Sequence, residues 1–210
     1  MLSFENTEVA FKSRSDKDLQ KAYYLFKLIA NNSLVYIGKK LSNIALGLGI
    51  PVGWAAKPTI YSYFVGGESI KECLPNVRIL EKFNVKAILD YSVEGTESVE
   101  DIDLAMEETM QTIFNAANDP NIPYAVFKPT AFTTENVLEK VSSKIDLTDT
   151  EKQEADNFRE RVGKLCQTAF DNNIPILVDA EDSWFQNFID EVVYANMEKF
   201  NKETAIVFNT

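Results

Sequence analysis

Histidine is absent from all 210 residues. Without imidazole there is no Ser-His-Asp or Cys-His nucleophile, no HExxH zinc site and no three-histidine metal centre. Any chemistry must therefore run on carboxylates, amines, phenols or a bound cofactor. Cysteine is scarce as well. Cys73 and Cys166 stand alone, each inside an apolar helical pattern, whereas a disulfide framework needs more of them at closer spacing; a reducing, intracellular compartment is expected. Positive charge is the minority, with 21 Lys plus Arg against 32 Asp plus Glu and a net charge of −11. That balance repels nucleic-acid phosphates and anionic lipid headgroups, so no nucleic-acid partner is expected. The chain has no run of about 18 apolar residues and no apolar core behind a basic start, so neither a transmembrane helix nor a signal peptide is expected. No GxGxxG or Walker sequence follows any β-like run, which leaves nucleotide grip by a glycine-rich loop without support.

What is present suffices for a core, with 45% hydrophobic and 11% aromatic residues. Residues 1–83 read as an N-terminal helical segment. Ser15 caps a helix over residues 16–30, with Leu19, Ala22, Tyr23, Phe26 and Ile29 at helical spacing, and a second pattern covers 34–46 until Gly47 and Gly49 stop it. Pro51 and Pro58 are expected to break the aromatic segment WAAKPTIYSYFV, whose Trp54, Tyr61, Tyr63 and Phe64 suit a lid or a packing layer. Gly66 and Gly67 precede a further helix over 68–82, with Pro75 inside it as a potential kink.

From residue 84 a pattern repeats: a helix ends in Asn or Asp, a turn follows, and a short β-branched run enters. The runs are VKAILDY (85–91), PYAVFKP (123–129), PILVDAE (175–181) and TAIVFNT (204–210). Ser98 with Asp101 resembles a capping box opening a helix to residue 117, with Met106, Met110, Ile113 and Phe114 on one face. Thr148 with Glu151 opens another to residue 171, and a helix over about 183–200 leads into the fourth run. Apolar runs joined by helices predict an α/β fold whose parallel sheet is covered by helices, doubly wound or a (β/α)8 barrel. The fourth run coincides with the chain end at Thr210, where a barrel strand wants a covering helix. Residues 84–210 are thus expected to form the first half of a truncated barrel of about four βα units. Open sheet edges near Ile88 and Ile206 would make such a fragment self-associate, or draw the N-terminal helices over its open face.

Polar residues close the runs where parallel folds build sites: Asp90 and Glu94, then Lys128, then Asp179, Glu181 and Asp182, then Asn209 and Thr210. Lys128 either snorkels at a strand end or points into a pocket with an anion to meet it. Asp179 falls next to it if the strands are sequential, giving either a structural ion pair or an acid–cation pair suited to a zwitterion or a cofactor. Glu181 and Asp182 are adjacent and so diverge, with no third ligand, and no metal is expected. The acidic segment 94–108 suits a solvated helix start.

Three stretches in order, AKPTIYSYFVGGESIKECLPNVRILEKFNVKAILDYSVEG, YAVFKPTAF and IPILVDAEDSWFQNFIDEVV, resemble the flavin-dependent proline dehydrogenases. FVGGES parallels the family's Gly-Glu-Thr segment, with serine at Ser69 in place of threonine, and VDAED parallels its Asp-Ala-Glu strand end. The resemblance implies a distorted (β/α)8 barrel holding FAD, oxidation of L-proline to pyrroline-5-carboxylate, and electron transfer to quinone. It implies that Lys128 faces the flavin and helps hold the proline carboxylate. Asp179 would orient groups near the flavin, Glu68 would lie on the gating side and pair with an arginine from later in the chain, and Asp90 would line the site. Catalytic and cofactor-binding roles thus both fall on Lys128 and Asp179. Further flavin and carboxylate contacts of the family lie beyond residue 210, so the 210 residues alone are expected to be inactive and to retain no stoichiometric FAD. The location implied is cytoplasmic, peripheral to the inner membrane through the quinone, and mitochondrial in a eukaryote. Two other readings compete: a non-catalytic binding or regulatory half-barrel, and an aldolase with Lys128 as its Schiff-base amine.

Overall fold

A computed structural model of the chain describes residues 5–93, 95 and 98–210; Glu94 lies outside them. The chain divides into two compact units, residues 1–85 and 86–210.

The first unit is helical. After a short turn α1 (Thr7–Ala10) come α2 (Asp16–Ile29) and α3 (Asn32–Gly47). Ser15 and Asn31 start the two longer helices by accepting hydrogen bonds from free first-turn N–H groups. Neither helix buries a residue, and the stripe Leu34, Ile37, Leu41, Ile44 and Leu48 stays exposed. The aromatic segment is helical, contrary to the expectation of a break: α4 (Gly53–Ala56) runs through a π-turn (Lys57–Tyr61) into α5 (Ser62–Phe64). Pro58 sits at the start of the π-turn, where its missing N–H costs little and the wider turn makes room for its ring. Only part of the run packs. Tyr63 and Phe64 meet Phe26 edge to face at 5.2 and 6.1 Å, while Trp54 is 77% exposed. A cleft of about 540 Å³ lies between α2 and this segment, lined by Phe11, Leu19, Leu25, Pro58 and Tyr63 among others. Helix α6 (Ile70–Glu81) starts at Ser69, whose hydroxyl accepts from the Glu72 N–H, and Pro75 lies inside it. Gly67 allows that start, since a Cβ there would stand 2.7 Å from the Glu72 Cβ.

The second unit alternates helices and strands: α7 (Val99–Asn118), β1 (Ala125–Phe127), a 3-10 turn (Pro129–Ala131), α8 (Glu135–Ser142), α9 (Asp149–Asp171), β2 (Ile176–Val178), α10 (Gln186–Phe200) and β3 (Val207–Asn209). The strands form one parallel sheet in the order β1-β2-β3. Of the four β-like runs the last three are strands. The first makes a single parallel bridge, Leu89 to Ala125; it is otherwise held at Asn121, which takes the Ala87 N–H and the Lys86 ammonium, and its Val85 and Ile88 remain 46% and 45% exposed. Phe114, expected on the buried face of α7, is exposed; that face is carried by Ile102, Ala105, Met106, Thr109, Ile113 and Ala116.

Helix ends recur in one form. Gly49, Asn84, Lys144 and Asn173, at φ 72°, 57°, 56° and 53°, each follow a helix. The next N–H then reaches back to a carbonyl of the last turn: Ile50 to Ala45, Val85 to Leu80, Ile145 to Lys140, Ile174 to Ala169. The core lies between the sheet and its helices, with Phe127, Phe158, Leu165, Ile176, Val178, Phe188 and Val193 buried almost completely. Along β1 and β2 burial alternates. Ala125, Phe127, Ile176 and Val178 face the helices, whereas Val126 and Leu177 are half-buried on the opposite face, as the two-residue period of a strand dictates.

Candidate functional site

The carboxyl ends of the strands gather the polar residues. Ala125, Val126 and Phe127 pair with Ile176, Leu177 and Val178, and the Asp179 N–H donates to the Phe127 carbonyl at 3.0 Å, one step beyond. In a parallel pair, register partners share a face, so Lys128 and Asp179 emerge together on the half-buried face that carries Val126 and Leu177. The Lys128 ammonium donates to Asp179 Oδ2 at 2.9 Å, the two side chains being 19% and 40% exposed. Of the two sequence-derived site residues on neighbouring strands, the structure thus makes an ion pair.

From the third strand Thr210 closes in. Its hydroxyl accepts the Ala180 N–H at 2.8 Å and lies 3.1 Å from the Val178 carbonyl and 3.4 Å from Asp179 Oδ1. Beside the pair, Tyr124 and Phe208 meet edge to face at 6.2 Å. The result is a half-buried apolar floor of Val126, Leu177 and Phe208 with one cation and one anion at its rim. Such a surface suits a small zwitterion or a planar aromatic group with polar edges.

Glu181 is half-buried and Asp182 exposed. The Glu181 carboxylate takes both the N–H and the hydroxyl of Thr130, at 3.2 and 2.8 Å. Its own N–H goes to Gln186 Oε1, and Gln186 Nε2 and Asn209 Nδ2 both donate to Asp190 Oδ1, each at 2.8 Å. Among the described residues no cluster of three carboxylates or cysteines could hold a metal ion. Thr130, Gln186 and Asp190 were not legible as site-end residues. One signal did exist: Lys128 and Thr130 share the i, i+2 spacing of Asp179 and Glu181.

Two further candidates, Asp90 and Glu68, make local contacts of their own. Asp90, one residue past the bridge at Leu89, is exposed and accepts from the Ser92 hydroxyl at 2.8 Å. Glu68 belongs to the first unit, where Lys57 donates to it at 2.6 Å. That hydrogen bond is the main cause holding the Lys57 ammonium above its ordinary range.

Comparison with known proteins follows this geometry. The family model described as proline dehydrogenase matches residues 73–210. "Proline dehydrogenase 1, mitochondrial" of Dictyostelium discoideum is 27% identical over 244 aligned positions, covering 98% of this chain and 43% of its own. The protein of the same name from Caenorhabditis elegans is 38% identical over 97, covering 45% and 16%. The carbapenem antibiotics biosynthesis protein CarD of Pectobacterium carotovorum is 26% identical over 148, covering 70% and 39%. This chain spans less than half the length of each. Among solved structures, proline utilization A (PutA) from Bdellovibrio bacteriovorus, inactivated by N-propargylglycine, shares the fold. Its TM-score is 0.52 at 15% identity, over 90% of this chain and 19% of that one.

Proposed function

The chain belongs to the proline dehydrogenase family, and on that premise we propose that it contributes the carboxylate-binding corner of an enzyme oxidising L-proline to pyrroline-5-carboxylate. The observation that carries this reading is the Lys128–Asp179 pair at the rim of an apolar floor. Lys128 binds the proline carboxylate as a cation and hydrogen-bond donor. Asp179 holds the ammonium in place before substrate arrives, so that little side-chain freedom is lost on binding. Val126, Leu177 and Phe208 cover the pyrrolidine ring and exclude water. Lys128 and Asp179 would also abut FAD, and the apolar floor with its polar rim fits a flat ring system of that kind. FAD, when bound, supplies the two-electron acceptor for the hydride removed from proline.

The same reading extends to the rest of the enzyme. The three-stranded sheet with its crossover helices is taken as part of a (β/α)8 barrel, completed by sequence of the kind that fills the remainder of the relatives. Glu68 is assigned to the gating side, with Lys57 as its partner until an arginine replaces it, and Asp90 to the site wall. Quinone is the proposed electron acceptor. A mitochondrial, membrane-peripheral location is proposed from the names of the Dictyostelium and Caenorhabditis relatives; among the described residues no helix is long and apolar enough to cross a membrane.

The test is proline-dependent bleaching of bound flavin, followed by dye reduction, in the complete protein and in the 210-residue chain. Bleaching in the complete protein with a colourless, inactive 210-residue chain is the expected result. A complete protein that binds flavin yet is not reduced by proline overturns the reading.

A further inference from the structure

Two side-chain rungs stand above the β1–β2 ladder at one sequence offset. Lys128 meets Asp179 and Thr130 meets Glu181, each pair 51 residues apart, the offset of the backbone rungs below them. Backbone pairing cannot continue between the two rungs, because Pro129 has no N–H to donate. The next N–H on that side belongs to Thr130, and it finds the Glu181 carboxylate in place of a strand carbonyl. Thr130 adds its hydroxyl to the same oxygen and is 2% exposed.

We propose that the Thr130–Glu181 contact is a strap that positions the Lys128–Asp179 pair. The proposal rests on the reading of Lys128 as the carboxylate-binding cation. A single residue separates each member of the strap from its charged neighbour: Pro129, with its fixed φ, on one side and Ala180 on the other. The Lys128 backbone is extended, at φ −98° and ψ 124°, and leads directly into the 3-10 turn that carries Thr130. Displacing Thr130 therefore rotates the Lys128 Cα–Cβ direction with few intervening torsions to absorb the change. The far end of the strap is equally fixed. The Glu181 N–H is held by Gln186, Gln186 by Asp190, and Asp190 by Asn209 of the third strand. One chain of hydrogen bonds thus ties the segments after β1 and β2, through the start of α10, to the last residue of β3, and the ion pair stands at its β1–β2 junction. Thr130 and Glu181 are positioning residues; neither need touch substrate.

Glu181→Ala deletes the strap and Thr130→Val removes its hydroxyl half while leaving the backbone N–H, whereas Thr130→Ser and Glu181→Gln keep a donor and an acceptor in place. Three quantities are read in each variant of the complete protein. They are the melting temperature, the 1H–15N signal of the Lys128 ammonium, which survives solvent exchange only while its protons are held, and kcat and KM for proline. The strap predicts that Val and Ala weaken or abolish the ammonium signal and raise KM between about tenfold and a hundredfold. It further predicts that Ser and Gln restore both. An unchanged signal and KM in Val and Ala overturn it. So does a lower melting temperature with normal signal and KM in the folded protein, which makes the contact merely structural. If no variant or parent oxidises proline but the ammonium signal follows the strap, the positioning stands and the assigned substrate falls.

Discussion

The Lys128 ammonium meets the Asp179 carboxylate at 2.9 Å one residue past the last backbone pair, Phe127 with Val178. Strand register, not a search by two long side chains, sets that contact. A slip of one residue would send Lys128 into the helix-covered core face. The two side chains are 19% and 40% exposed, so water still reaches the pair and its contribution to stability stays within about 1 kcal/mol.

Replacing Lys128 with Met should therefore cost less than about 1 kcal/mol of stability. In the complete enzyme it should raise KM for proline strongly while flavin is retained, because one cation leaves a carboxylate clamp. Steady-state kinetics beside a urea melt check this; unchanged kinetics would remove Lys128 from the site.

Asp179→Ala should slow flavin reduction by proline on the order of a hundredfold, the scale for losing one preorganised electrostatic contact. Folding should change far less. Single-turnover bleaching gives the rate. A variant that misfolds, with normal turnover in what survives, would reduce the pair to a structural bridge.

Helix α9 makes the chain's acid sensitivity local. Thr148 and Glu151 form a reciprocal capping box, and Lys140 and Asn136 also donate to Glu151. The Lys140 hydrogen bond, followed by that from the Thr148 N–H, holds the Glu151 carboxyl at about 2, against an ordinary value of 4.5. A depressed carboxyl stabilises the fold fully above its unfolded value and loses that contribution as pH falls from 4.5 toward 2. Glu151→Gln should flatten the urea midpoint across that window, and Thr148→Ala should cost about 1 kcal/mol at neutral pH. An equally steep acid limb in Glu151→Gln would move the sensitivity elsewhere.

The two thiols should differ sharply toward alkylating reagents. Cys166 is fully buried, and burial pushes its thiol up to about 12. Cys73 is partly exposed and raised less, again chiefly by burial. Native protein should label slowly at Cys73 and at Cys166 only after unfolding, as mass spectrometry of the labelled peptides would show. Fast labelling of Cys166 would mean that α9 opens in the native state.

Helices were legible where a local bond starts or stops them. Ser15, Ser98 and Thr148 each accept a first-turn N–H, and Asn84 and Asn173 end their helices in the left-handed region, so residue identity was enough. Strands depend on what lies alongside. VKAILDY shares Val, Ala, Ile, Leu and Asp with PILVDAE, yet it makes one bridge where the latter is paired on both sides. Helix α8 (Glu135–Ser142) escaped because it is two turns long and buries only Val137 and Leu138. In WAAKPTIYSYFV proline makes no break, because Pro58 sits in the first turn of a π-helical stretch, where its missing N–H costs little. At the site, alternation and sequential strand order sufficed for Lys128 and Asp179. The Thr130–Glu181 contact needed the exact register.

The wide sequence separation of the sheet's partners also governs how the chain acquires it. Rungs join residues 51 apart between β1 and β2 and 31 apart from Asp179 to Thr210 beyond β3, so no pair can zip from a hairpin. Each closure waits for an intervening helix to form and dock, which raises contact order and slows folding. During synthesis, β1 leaves the ribosome well before its partner strand is made, and its apolar Ala-Val-Phe stays unpaired over that interval. Helix α7, complete by then and already carrying the Ile102–Ala116 stripe, is a surface ready to shield it. Substitutions on that stripe, such as Ile113→Ala, should therefore lower the yield of folded chain by more than their equilibrium cost.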